Sequence, residues 1–382
     1  MKLPKDAPAR VWRALRACLP RKNHCGRSLF SIAPGREGAA PRLSSSGPRL
    51  LRKTVKEKTE RICETTPGKL GPRTACLLVA AVSGALGIPG LCSAQVQLPT
   101  VNLGLTNFED GFAVPGWFLQ EFPDYYNADE LKDSQGTTVP GLNHLTAIST
   151  TTHVVYISQQ QFMGGWLAVE ALQPWVDLDV LANGTSSTVR GLGDLTVGAG
   201  LQWAPKKIGS GVFVHRFVLD VGAPTGRYSD RQPVNVGNNL VVVDPYYALT
   251  YEPGKLELSA RLHYLWNSVN HEPFAGSGAN TVQPGQAFHM NYSASYEMIT
   301  NVRIGFNGYW LQQLTDNKVN DINVPYSLER TVGLGAGIQF FSGRDTWIHL
   351  NGYKETNVRN RPQGATVTLR FSRAIPSART QP

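Results

Sequence analysis

The chain has 382 residues, 41% of them hydrophobic, with a formal charge of +9, a size for one or two domains. The charge is lopsided: 18 of the 37 basic but only 5 of the 28 acidic residues lie in positions 1–94, so the remainder is net acidic and carries no nucleic-acid-seeking basic surface. All five cysteines (Cys18, Cys25, Cys63, Cys76 and Cys92) precede Gln95, which excludes thiolate metal sites and cysteine nucleophiles from everything that follows.

Residues 1–68 are rich in Arg, Pro and Ser and lack apolar periodicity. They read as a basic disordered extension, and the preferred reading is that the true start lies downstream, at a codon such as that of Val55. Residues 69–94 have the three parts of a cleavable signal peptide: Lys69 and Arg73, an apolar stretch from Ala75 to Ile88, and small residues at Cys92 and Ala94. That stretch is shorter than the roughly 20 residues a spanning helix needs and is diluted by Gly and Pro, so cleavage after Ala94 is expected instead of anchoring. Bulky Leu91 ahead of Cys92 argues against lipoprotein processing. Residues 95–111 are then expected as a periplasmic segment.

From Phe112 the chain repeats segments of about ten residues in which apolar and polar side chains alternate, the period of a strand. Strands are expected near 112–126, 143–156, 164–182, 193–204, 210–222, 239–250, 255–267, 285–298, 301–313, 329–341, 346–357 and 364–373. In LELSARLHYLW, Leu256, Leu258, Ala260, Leu262, Tyr264 and Trp266 share one face, while Glu257, Ser259, Arg261 and His263 share the other. Short connections (APKKIGSG, YEPGK, EMITN, FSGR) alternate with long polar ones around 127–142, 183–192, 223–238, 268–284 and 314–328. Trp and Tyr gather near strand ends: Trp117, Tyr125, Tyr126, Trp166, Trp175, Trp203, Tyr246, Tyr247, Trp266, Trp310 and Trp347. A soluble β-sandwich also alternates. An export signal, loop asymmetry and interfacial aromatics together favour an all-β, transmembrane, antiparallel up-and-down barrel of about twelve strands over 112–374, with a tail at 375–382, in the outer membrane of a Gram-negative bacterium.

The glycine-rich GLGDLTVGAG and GLGAG lack the following helix that phosphate binding needs, so they read as backbone devices within strands. His289, Asn291 and Ser293 share a face, the constellation of a membrane phospholipase, but on the side assigned to the lumen and not to lipid. Ordinary lumen lining is the simpler account, and no enzyme is expected. His263 and His289 lie on neighbouring strands, yet two imidazoles without a third ligand do not make a metal site. No metal and no cofactor are expected. The candidate lumen-lining residues are Arg216, Asp220, Glu257, Arg261, His263, His289, Glu297, Arg303 and Arg370, with Glu170 and Glu355 beside them. Charges of mixed sign inside a barrel can pair across strands and hold the wall, or form a cationic stripe that guides small anions or aromatic acids.

Several segments carry a family likeness: PGWFLQEFPDYYNADEL (Pro115 to Leu131), GLGDL (Gly191 to Leu195), APTGRY (Ala223 to Tyr228) and RPQGATVTLRFSRA (Arg361 to Ala374). In order and spacing they resemble the outer-membrane proteins named for the meta-pathway of phenol degradation and described as transporters. The resemblance implies a barrel tied to catabolism of aromatic compounds that passes hydrophobic or aromatic solutes. Barrels of this kind end on an aromatic read by the insertion machinery, whereas this chain runs past Phe371 through IPSARTQP. The expected partners are outer-membrane lipid, small aromatic or hydrophobic solutes and the barrel-insertion machinery, with no nucleic acid; oligomeric state is not legible. The expected function is passive uptake of such solutes, the alternative a non-transporting structural or surface-binding barrel.

Overall fold

The structure, a computed structural model, describes residues 96–376 apart from Arg344. The expected extension, the leader and positions 377–382 of the tail lie outside the described residues.

Twelve strands cross in succession. They are β1 (Gly116–Glu121 and Asp124–Lys132), β2 (Leu142–Phe162), β3 (Gly165–Ala182), β4 (Leu195–Trp203), β5 (Gly211–Ala223) and β6 (Val242–Pro253), followed by β7 (Leu256–Asn267), β8 (Ala287–Ile299), β9 (Val302–Gln313), β10 (Arg330–Ser342), β11 (Thr346–Arg359) and β12 (Pro362–Pro376). Each pairs antiparallel with the next, and β12 pairs with β1, placing Trp117 opposite Ile375 and Tyr126 opposite Thr366. This seam closes the sheet. β1 is interrupted at Phe122 and Pro123, where proline has no N–H to give a ladder. The seam survives because the Leu369 N–H donates to the Pro123 carbonyl at 2.9 Å.

The two faces decide what surrounds the sheet. On β7, Glu257, Ser259, Arg261 and His263 are at most 5% exposed, whereas Leu258 and Tyr264 exceed 40%. Polar groups inside and apolar groups outside invert the soluble arrangement, so the outer face is built for hydrocarbon and the chain is a transmembrane β-barrel and not a sandwich. Aromatic pairs mark both interfaces. Trp117 with Tyr156 (4.7 Å between ring centroids) and Phe341 with Trp347 (5.9 Å) sit toward the short turns, and Phe288 with Trp310 (5.7 Å) toward the long loops.

The structure departs from the sequence reading in several places. The barrel begins at Gly116, not 112, and its last strand continues to Pro376, into the stretch expected as tail. Within the expected loop 183–192, Thr185–Leu192 forms a strand that folds back on β3. Tyr126 and Tyr246 do not join the aromatic belts: alternation lets only one residue of each Tyr-Tyr pair face lipid, and Tyr125 and Tyr247 take that place. Glu297 keeps the inward parity of β8, opposite Arg303, at the short-turn end of the strand, where its carboxylate accepts the Asn301 N–H at 3.3 Å. Above the barrel, Val282–Gln283, Lys318–Val319 and Ile322–Asn323 form a small sheet that joins two long loops.

Arg261 and Leu262 are sequence neighbours on opposite faces of one strand. Leu262→Arg is expected to cost about 2–4 kcal/mol of folding stability in lipid vesicles, the range for a cation at the bilayer midplane. Urea titration of the vesicle-folded protein checks this, and a near-neutral result would place Leu262 away from hydrocarbon.

Candidate channel and its inner segment

Residues 96–115 do not form the expected periplasmic segment. They thread the barrel interior from the long-loop end to the short-turn end, where Gly116 starts β1. At the long-loop end the Val96 carbonyl accepts from the Asn317 side chain at 2.7 Å, and the Leu98 N–H donates to Glu329 at 2.7 Å. Midway, Asn291 bonds three inner groups: its oxygen accepts from the Gly104 N–H (2.9 Å), and its amide donates to Asn102 (2.9 Å) and Thr106 (3.1 Å). The Tyr353 hydroxyl donates to the Gly104 carbonyl at 2.8 Å. Gly104 has φ +82°, and a Cβ there would fall 2.8 Å from the Tyr353 ring, so both conformation and space require glycine.

The lower half of the segment is charged. Asp110 receives two bonds of 2.6 Å from the Arg261 guanidinium and lies 3.3 Å from Arg216. Glu109 lies 3.4 Å from Arg303 and accepts from Gln339 at 2.7 Å, while its N–H donates to Glu257 at 3.0 Å. Arg370 donates to the Phe108 carbonyl at 3.3 Å and packs against His349. A backbone turn from Glu109 to Phe112, followed by the Gly111 N–H bonding Thr250 at 2.9 Å, delivers the chain to the rim.

Two spaces remain. A cavity of about 310 Å³ lies toward the long loops, between the inner segment and the walls of β2 and β3. Its lining is apolar at Leu145, Val176 and Leu178 on β2 and β3 and at Leu98 and Leu105 of the inner segment, and polar at Tyr126, Tyr309, Glu355 and Arg361. A smaller pocket of about 80 Å³ lies on the short-turn side of the Asp110 knot, between Phe112, His153 and Arg370.

Of the candidate lumen residues, Arg216, Arg261, Glu257, Arg303 and Arg370 all face inward and spend their polar groups on the inner segment. Asp220 also faces inward and is buried, and Glu170 bonds Tyr246 and lies 3.3 Å from His153. His263 and His289 stack with ring centroids 4.1 Å apart. His289, Asn291 and Ser293 do not assemble into a relay, because Asn291 is committed to the inner segment and Ser293 leans toward Glu257. The sequence reading placed Asn291 on the lumen face but missed Asp110 and Gly104 as parts of the site. The available signal was the Glu109-Asp110 pair in a stretch with no alternation, next to lumen arginines without assigned partners.

The family model described as "Putative MetA-pathway of phenol degradation" matches residues 128–371, more than half of the chain. The chain belongs to this family. Among solved structures, an outer membrane channel from Pseudomonas putida F1 overlays with a TM-score of 0.60 at 17% identity, covering 69% of this chain and 97% of that one. The translocator domain of the autotransporter NalP from Neisseria meningitidis overlays more loosely, with a TM-score of 0.39 at 9% identity over 69% of this chain and 90% of that one. No curated protein sequence matches. Like the first of these folds, this member of the phenol-degradation family is a closed barrel of the Gram-negative outer membrane, and its apolar belt is the surface that meets lipid.

Two expectations follow from the inner segment. Arg261→Ala leaves Asp110 buried with its main partner gone and is expected to destabilise the folded barrel by about 3–5 kcal/mol, whereas Asp110→Asn with Arg261→Met costs less; urea titration of single and double variants tests this. Glu329, in the loop ahead of β10, titrates at about 7, raised by burial against the opposing pull of Arg361 and the Leu98 N–H. Its folded-state value lies above its unfolded one, so its contribution to stability is full below the unfolded carboxylate range and is lost as pH rises through about 7. Thermal unfolding from pH 4 to 8 is expected to show this decline in the wild type and not in Glu329→Gln.

Proposed function

We propose that the protein is an outer-membrane channel for small, weakly polar aromatic compounds, with the inner segment setting its conductance. The observation that carries this reading is the cavity of mixed lining. Leu145, Val176 and Leu178 offer apolar surface to a ring, and Tyr126, Tyr309, Glu355 and Arg361 line the same space to meet a hydroxyl or carboxylate. A phenol has both parts. Membership of a family named for phenol degradation and the likeness in fold to an outer membrane channel support the reading. A solute entering at the long-loop end meets the apolar strip first and the knot at Asp110 afterwards. Passage then requires the inner segment to shift, which asks for exchange of hydrogen bonds with water and no rupture of strand pairs.

A second reading draws on the same knot. Where Asp110 holds Arg261 and Arg216 throughout, the segment is a permanent plug and the barrel serves as a surface-binding or structural protein. Activity would then reside in the outer loops, and exchanging 268–284 would abolish it.

Liposome uptake separates the two. The folded protein is expected to pass phenol-sized solutes, Val176→Asp with Leu178→Asp to lower that uptake several-fold, and removal of 96–111 to raise ionic conductance. A folded wild type that conducts no ions and admits no aromatic solute, with or without 96–111, overturns the channel reading.

A further inference from the structure

We propose that Asp244, His263 and His289 form a binding site for a late first-row divalent ion of the Zn2+, Co2+, Ni2+ or Cu2+ class within the barrel wall. The sequence shows two imidazoles on neighbouring strands and stops there. The fold supplies the third donor, because β6, β7 and β8 are adjacent: His263 stands directly across from His289, and Asp244 lies one pleat beyond Tyr246, the residue paired with His263. One donor atom from each of the three side chains lies within 4.8 Å of the other two. His263 Nδ1 is 3.0 Å from Asp244 Oδ2, and His289 Nε2 is 3.5 Å from the same oxygen.

The ordinary account of buried histidines is that hydrogen bonds satisfy them. Here they do not. Three of the four imidazole nitrogens, His263 Nε2 and both nitrogens of His289, have no hydrogen-bond partner, and neither does Asp244 Oδ1. The His263 and His289 side chains are only 2% and 0% exposed, so water does not reach them freely. Unmatched polar atoms at that depth are costly, and a cation held among the three side chains would relieve those that face it.

Two imidazoles and one carboxylate suit zinc, cobalt, nickel or copper, whereas calcium and magnesium favour sets made of oxygen. The surrounding charge permits a divalent ion. Asp220, the cross-strand neighbour of Asp244, holds a further carboxyl oxygen without a partner. The facing cation, Arg261, is committed to Asp110 through two bonds. The Tyr246 ring lies 5.2 Å from that of His263, tilted by 38°, and walls the site on the Arg261 side. Entry runs past Asp244, whose side chain is 16% exposed. A bound ion would clip three consecutive strands beside the Asp110 knot.

The test uses the full protein folded in detergent, without an affinity tag and after chelator treatment. Titration calorimetry with ZnCl2 and visible absorption with CoCl2 are expected to show one equivalent bound per chain, with calcium and magnesium unable to compete. His263→Gln, His289→Gln and Asp244→Asn are each expected to weaken binding at least tenfold, with heat-modifiable gel mobility confirming that each variant folds. As a readout that needs no variant, X-ray absorption of the zinc-loaded wild type is expected to show two imidazole ligands and one carboxylate on the metal. The proposal is overturned if the chelated wild type binds no zinc or cobalt, if the folded variants bind as tightly as the wild type, or if the absorption spectrum shows no imidazole on the metal.

Discussion

A peptide N–H or carbonyl left unpaired in hydrocarbon costs several kcal/mol, and a sheet escapes that cost only when its first and last strands meet. The pairing of β12 with β1 is therefore the contact on which the rest of the molecule depends. With the ring closed, alternation sends every second side chain inward, and a twelve-strand ring holds more space than those side chains fill. Polar groups that would need water in that space find partners on a stretch of the same chain. Asp110 answers Arg261 and Arg216, Glu109 answers Arg303 and Gln339, and Asn102, Gly104 and Thr106 answer Asn291.

That arrangement divides the lumen by chemistry. Below Gly104 the walls and the segment exchange charges, and the packing leaves little room. Above it the inner faces of β2 and β3 turn apolar, and the segment stands away from them. The cavity arises from this mismatch: leucine and valine on the wall offer no hydrogen bonds to draw the backbone close, so the segment follows Tyr353 and Asn291 on the opposite side. A space lined by both greasy and hydrogen-bonding groups is the outcome of where the polar side chains fall along the strands.

Much of the barrel was readable in the sequence because period two is a local signal. Leu256 to Trp266 state their two faces without help from any other strand, and the long and short connections state which end is which. What stayed hidden depends on register, which no single strand encodes. Asp244 joins His263 and His289 only through the pairing of three strands. The path of 96–115 was illegible for a different reason: it has no regular period, and its conformation is set by partners more than a hundred residues away, such as Asn291, Glu257 and Arg370. Tyr126 and Tyr246 show the limit of reading composition in place of parity, since an aromatic beside another aromatic must take the opposite face.

The seam also orders events in time. β12 is the last strand made, so the ring cannot close until the whole chain has been delivered, whereas residues 96–115 precede every strand. The wall is consequently assembled in the presence of its own occupant. Either the segment lies between the ends when they join, and serves as a former around which the arginines of β5, β7 and β9 are set, or it must be fed through a finished ring past those same charges. Topology thus makes the occupant part of the barrel's manufacture as well as of its finished interior.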